Sequence, residues 1–340
     1  MTIRVAVVGA GVMGADHARI IASELPGAEL RWICDADEAR ARSVADATGA
    51  RHVSKDPLAT IESGDVDAVL IASPDLTHAE LTLACLRARK PVLCEKPLAP
   101  NPAECLGVLQ AENALGKRLV QVGYMRRFDP PYVEMKARST QGGIGAPIMM
   151  HNFHRNVSAP LYFTEQMAIT NSAPHEFDIA RFVLGTEYSA VSAFQPSRPA
   201  PGRGVGPVFM VLRTRAGQLV NIEINNNAGY GYDVRCELVC EHGAITLRSP
   251  AHTETHLNLG ATIAYARDWR PRFEQAYRLQ DLAWLRSIES GVPAGASAWD
   301  GYVASCTAER AVEALQGGRE VEIRYAEAPA LYRPITPRTV

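Results

Sequence analysis

The 340-residue chain has no CxxC pair among its 7 cysteines, no apolar run near the ~20 residues a membrane helix needs, and no excess of charge. Each absence removes a class. Scattered cysteines in odd number suit a reducing compartment and argue against a disulfide framework. Cys236, Cys240 and His242 lie close together, but zinc wants a closed ligand set at recognisable spacing, so two cysteines on the buried face of a strand are the better reading and no metal is expected. Lys and Arg total 35 against 37 for Asp and Glu, which gives no footprint for nucleic acid or a membrane surface. The apolar run within Met1 to Gly11 is shorter than a signal-peptide core and ends in glycines, so it reads as a strand. A cytoplasmic protein is expected, long enough for two domains.

Residues 1–123 alternate short β-rich runs with helical stretches, the pattern of a doubly wound parallel sheet. Strands are expected at Ile3–Val8, Leu30–Cys34, Ala68–Ile71, Pro91–Cys94 and Leu119–Val122, apolar enough to be covered on both faces. Helices are expected near Met13–Leu25, Glu38–Thr48, Thr77–Arg89 and Pro102–Leu115, the last with Asn101 as N-cap and Gly116 as its stop. From residue 124 onward the pattern predicts an α+β domain with a large, mostly antiparallel sheet. Val220, Ile222 and Ile224 alternate with polar partners, and Gly217, Gly229, Gly231 and Gly243 fall where hairpin turns are wanted. Helices are expected near Pro131–Arg138, Arg272–Glu289 and Trp299–Gln316, and an exposed loop at Pro196–Pro207.

Three constellations carry chemistry. The first strand runs into Gly9-Ala10-Gly11-Val12-Met13-Gly14, a GxGxxG that opens a helix and can bring its N-terminus to a pyrophosphate. Asp35 follows Gly14 by 21 positions at the end of the second strand, where a carboxylate holds ribose hydroxyls and repels a 2′-phosphate; NAD is favoured over NADP, although Arg40 and Arg42 stand close by. Glu95-Lys96-Pro97 ends a later strand at the ligand-binding edge of such a sheet, where Lys96 can donate to a substrate oxygen or lie solvated before the turn proline. In Asn171-Ser172-Ala173-Pro174-His175-Glu176-Phe177-Asp178, His175 titrates in the range of a base for alcohol oxidation.

Together these segments resemble the Gfo/Idh/MocA oxidoreductases, and within them the myo-inositol 2-dehydrogenases over nearly the whole chain. The matching pieces are the glycine loop followed by His17, Ser73-Pro74-Asp75-Leu76-Thr77-His78, Glu95-Lys96-Pro97, and the run Gly116 to Arg127. His154-Arg155-Asn156, Tyr230-Gly231-Tyr232-Asp233 and Ala298-Trp299-Asp300-Gly301-Tyr302 extend the match.

The resemblance implies that Lys96 contacts the reacting hydroxyl and His175 is the general base. It implies that Arg126, His154, Asn156, Asp178 and Tyr232 line a cyclitol pocket, with an ion pair bracing the domain junction as the other reading of Arg126. Ser73, His78 and Glu95 would stand near the cofactor, the Lys96–Pro97 bond would be cis, and a homotetramer would form through the second domain's sheet. One departure stands out: where the inositol dehydrogenases carry an aspartate four residues before the histidine, this chain has Asn171. An amide keeps the hydrogen-bonding shape and loses the charge that strengthens the base. That leaves open a different cyclitol, an amino-cyclitol or a sugar as substrate, and beyond these an NAD-dependent glycosidase or a non-catalytic NAD-binding regulator.

Overall fold

The computed structural model describes residues 2–196, 205–248 and 253–333. By contact the chain divides into two units: Met1–Tyr124 with Tyr277–Ser305 and Tyr325–Val340, and Met125–Ala276 with Cys306–Arg324. Residues 277–305, expected with the second domain, therefore cluster with the first.

In the first unit, β1 (Ile3–Val8), α1 (Val12–Glu24), β2 (Ala28–Cys34), α2 (Glu38–Thr48), β3 (His52–Ser54), α3 (Pro57–Glu62), β4 (Ala68–Ile71), α4 (His78–Arg87), β5 (Val92–Glu95), α5 (Pro102–Leu115) and β6 (Val120–Gly123) follow in order. The strands form one parallel sheet, β3-β2-β1-β4-β5-β6. Every residue of β4, β5 and β6 is buried, as a sheet covered on both faces requires. Asn101 caps α5 as its sequence asks: its Oδ1 accepts from Glu104 N–H at 3.0 Å and its Nδ2 donates to Glu104 Oε1 at 2.6 Å. The sequence reading missed β3 and α3. At three residues with a half-buried or exposed pattern, β3 is too short to show a period, and it lies at the sheet edge.

The second unit holds α6 (Pro130–Thr140), β7 (Pro147–Arg155), a single turn α7 (Glu165–Met167), α8 (Pro174–Leu184), β8 (Tyr188–Phe194), β9 (Val208–Thr214), β10 (Leu219–Asn225), β11 (Asp233–Cys240), β12 (Gly243–Thr246) and the outlying pair β13 (Glu254–Leu257) and β14 (Gly260–Ile263). In chain order α9 (Arg270–Ser290) and α10 (Ala298–Gly317) follow, each divided between the units at the boundaries given above, then β15 (Val321–Glu322) in the second unit. The seven-stranded sheet runs β12-β11-β7-β10-β9-β8-β15, antiparallel except between β7 and β10. In β10, Val220, Ile222 and Ile224 are buried and their neighbours less so, as the alternation predicts.

Gly217 closes the β9–β10 hairpin at φ +89°. Gly229 and Gly231 do not make a hairpin, because β7 lies between β10 and β11; a side chain at Gly231 would collide with Tyr265, so there a close approach demands glycine. Gly243 opens β12 opposite Cys240 and lies just past the turn residues. Cys236 and Cys240 are buried in β11, and the described residues contain no group of three or more His, Cys, Asp or Glu able to hold a metal. Most of the expected loop at 196–207 lies outside the described residues. Among the described residues no helix is long and apolar enough to cross a membrane.

Candidate active site

The glycine loop links β1 to α1, and each glycine answers a different demand. Gly9 sits at φ +98°, and a side chain on it would collide with Ala72 and Ser73. One on Gly14 would collide with the Gly9 carbonyl. One on Gly11 would meet nothing within 4 Å, so the loop is packed from behind and bare in front of the α1 N-terminus, with Val12 exposed and Met13 half-buried beside it. A bare backbone at a helix N-terminus suits a diphosphate, so the loop fits a dinucleotide.

Asp35 ends the neighbouring strand and faces the same loop. Its Oδ2 accepts from Ala10 N–H at 2.7 Å and its Oδ1 from Asp37 N–H at 2.9 Å, while Arg40 donates to both oxygens. Burial works against the carboxylate, yet Arg40 and the two amides outweigh it and hold its pKa below the ordinary range.

The polar atoms expected near the cofactor are mostly spent on protein. His78 Nδ1 lies 2.6 Å from the Pro97 carbonyl and Nε2 2.8 Å from the Ser73 carbonyl. Carbonyls only accept, so both ring nitrogens donate and His78 is an imidazolium. Burial opposes that charge, but Cys94 and the two carbonyls outweigh it and raise the pKa to about 10. Ser73 Oγ pairs with Thr77 Oγ1 at 2.6 Å. His78 thus ties the loop after β4 to the half-buried Lys96 and its cis bond to Pro97.

Glu95 is held by His17, whose Nε2 lies 3.0 Å from Glu95 Oε1 and whose Nδ1 lies 2.8 Å from Asp281 Oδ2. All three are buried. Burial opposes charge on His17, but Asp281 and Glu95 on either side outweigh it and raise its pKa to about 10. The sequence reading used His17 only as part of the match; its partner Asp281 is 264 residues away and gave no local signal.

In the second unit, a segment wound as a π-helix, Ala168–Ser172, precedes α8, with Ala173 N–H bonded to the Ala168 carbonyl. Such turns gather at functional sites. Asn171 and His175 flank its end and are both half-buried, unlike their neighbours Ser172, Ala173, Pro174 and Glu176.

Arg126 and Asp178, expected to line the cyclitol pocket, are both buried and ion-paired. Arg126 is 1% exposed and ion-paired with the fully buried Glu176, which also accepts from His154 Nδ1 at 3.1 Å. A buried carboxylate needs such partners. Burial works against the charge on Glu176, but Arg126 and then His154 outweigh it and lower its pKa. Asp178, also 1% exposed, takes two hydrogen bonds from Arg127 at 2.8 and 2.6 Å. The ion pair of Arg126 with Glu176 lies inside the second unit.

His154, Asn156 and Tyr232 do come together. The rings of His154 and Tyr232 meet edge to face at 5.9 Å, and Asn156 Nδ2 lies 3.5 Å from His154 Nε2. Burial raises the Tyr232 hydroxyl to about 12, so it stays protonated. Asn226 completes the group: its Oδ1 accepts from Asn156 Nδ2 at 2.6 Å and from Ser172 Oγ at 3.1 Å. Sequence reasoning missed Asn226 and Glu176. The available signals were three successive asparagines ending an apolar strand and the acid inside His175-Glu176-Phe177-Asp178.

A doubly wound sheet with a dinucleotide-ready glycine loop, and a second unit that groups a histidine with side-chain amides, define a nicotinamide-dependent oxidoreductase. Residues 3–124 match the oxidoreductase family's NAD-binding Rossmann fold and residues 137–323 its C-terminal alpha/beta domain. The chain belongs to this Gfo/Idh/MocA family. It is 47% identical to inositol 2-dehydrogenase 1 of Saccharopolyspora erythraea over 335 residues, covering 98% of this chain and 99% of that one. It is 41% identical to inositol 2-dehydrogenase of Streptomyces avermitilis, covering 96% of each. The solved myo-inositol dehydrogenase of Lactobacillus casei, in complex with NAD(H) and myo-inositol, superposes with a TM-score of 0.93 at 29% identity, covering 98% of this chain and 100% of that one.

Proposed function

We propose that this protein oxidises a ring hydroxyl of a cyclitol, myo-inositol or a related inositol, to the ketone, and that the reaction is reversible. The observation that carries the reading is the amide and imidazole group of His154, Asn156 and Asn226 beside the Asn171–His175 segment, a surface of hydrogen-bonding groups suited to several hydroxyls. The similarity to inositol dehydrogenases along the whole chain supports the same substrate class.

Gly9, Gly11, Val12, Met13, Gly14 and Asp35 would hold NAD, which supplies the hydride acceptor when bound. Lys96 holds the reacting hydroxyl by donating to its oxygen and steadies the charge that grows there. His175 takes the hydroxyl proton on a ring nitrogen. Asn171 orients that ring without contributing a charge. Glu95, locked by His17, fixes the backbone from which Lys96 projects. Asn156, His154 and Tyr232 hold the remaining hydroxyls, so that one carbon–hydrogen bond is presented for transfer. The protein works in the cytoplasm as a homotetramer assembled through the second unit's sheet.

The test is a panel of inositols, amino-cyclitols and sugars with NAD⁺ or NADP⁺, following nicotinamide reduction. An inositol with NAD⁺ should give the highest kcat/KM. The second reading is an amino-cyclitol, because Asn171 stands where the inositol dehydrogenases carry an aspartate and the pocket then differs at this position. Turnover of sugars alone contradicts both.

A further inference from the structure

The hydrogen bonds around Asn156 run in one direction, from Asn156 Nδ2 and Ser172 Oγ onto Asn226 Oδ1. Glu176 Oε1 is an acceptor held ionised by Arg126, so His154 Nδ1, 3.1 Å away, carries a proton and donates to it. Arg126 Nη2 stands 3.3 Å from the same ring nitrogen. The group facing Nε2 is the Asn156 amide nitrogen. A hydrogen of that nitrogen goes to Asn226 Oδ1, and Ser172 Oγ–H donates to the same oxygen. The Asn156 amide nitrogen is thus engaged by Asn226 and faces His154, and its Oδ1 is left as the end that can meet a ligand. Turning the Asn156 amide over by itself would set two acceptor oxygens, its own Oδ1 and Asn226 Oδ1, against each other.

Asn226 is 3% exposed, yet its Nδ2 has no partner among the described residues. A purely structural amide would be satisfied at both ends. An amide buried with its oxygen doubly used and its nitrogen idle is placed for what the oxygen does.

We infer that Asn226 is a specificity-determining positioning residue: by accepting from Asn156 it turns the Asn156 carbonyl toward the substrate, so this position reads a group that donates. A hydroxyl or an ammonium fits it, and an ether or carbonyl oxygen does not. The inference rests on the reading that Asn156 touches the cyclitol. It assigns to Asn226, in the run Asn225-Asn226-Asn227 at the end of β10, the choice of which end of that amide is shown.

A double-variant cycle with myo-inositol as probe tests this. Asn226→Val removes the acceptor and should raise the KM for myo-inositol roughly tenfold, while kcat and the KM for NAD⁺ stay within about twofold, because the amide acts on binding and not on the proton or hydride. Asn156→Ala should raise KM to a similar degree, and the double variant should be no worse than the worse single. Asn226→Asp keeps an oxygen for both donors and should hold KM within about threefold of wild type. If the valine variant does not fold, Asn226→Ser, too short to reach Asn156, is read the same way. A normal KM for the Asn226 variant while Asn156→Ala raises it overturns the inference and leaves the substrate reading standing. Multiplying effects in the double variant overturn it too. An Asn156→Ala variant with unchanged KM overturns the substrate reading on which the inference rests, and the inference with it.

Discussion

Arg40 grips both carboxylate oxygens of Asp35, with Nε 3.1 Å from Oδ2 and Nη2 2.7 Å from Oδ1. The arginine whose sequence position suggested a 2′-phosphate partner is thereby occupied and its charge balanced. NAD⁺ should exceed NADP⁺ in kcat/KM by more than tenfold. Asp35→Ser should release Arg40 and narrow the gap, and adding Arg40→Ala should widen it again. A wild-type preference for NADP⁺ contradicts the assignment.

His17 lies between two buried carboxylates, so removing it leaves Glu95 and Asp281 uncompensated. His17→Gln should cost about 3 kcal/mol of stability at neutral pH, the scale for breaking a buried ion pair. The sign of its pH dependence follows from the raised pKa. The contribution is complete below the unfolded value near 6.5 and is lost as pH climbs through about 10. Denaturant melts of wild type and variant should converge between pH 7 and 10; a constant gap would show that His17 is not held as an imidazolium.

Much of this was legible locally. The β1 and β4 limits, the α2 and α5 limits and the Asn101 cap are all set by short-range patterns, and the structure keeps them. What the sequence could not display was pairing at a distance. Arg126 meets Glu176 50 residues on, and His17 meets Asp281 264 residues on, so neither partner falls in any local window. Arg126 and Asp178 are expected in the cyclitol pocket through the family resemblance, which carries no information on their protein partners. Folding supplies each with a counter-ion, Glu176 and Arg127. Gly229 and Gly231 read as hairpin turns because the sequence cannot show β7 entering between β10 and β11.

The proposed function places Lys96 in the chemical step. Lys96→Ala should lower kcat at least a hundredfold with NADH binding and melting temperature nearly unchanged. Turnover within a few-fold of wild type, under about 1 kcal/mol of barrier, would remove it from the mechanism.

Asn171→Asp restores a carboxylate near His175 and should raise the pKa of the base. Oxidation needs the neutral imidazole, so the acidic limb of the pH–rate profile should move to higher pH. A gain in plateau rate on an inositol would mark base strength as limiting. An unmoved limb would show that position 171 does not couple to the base.

The central claim is hydride abstraction from a cyclitol ring carbon, and myo-inositol deuterated at its ring carbons tests it most directly. Incubated with protein and NAD⁺, it should give a ketone and a reduced nicotinamide carrying one deuterium at C4, detected by mass spectrometry. Reduced cofactor without deuterium, or no reduced cofactor from any inositol, would contradict the account.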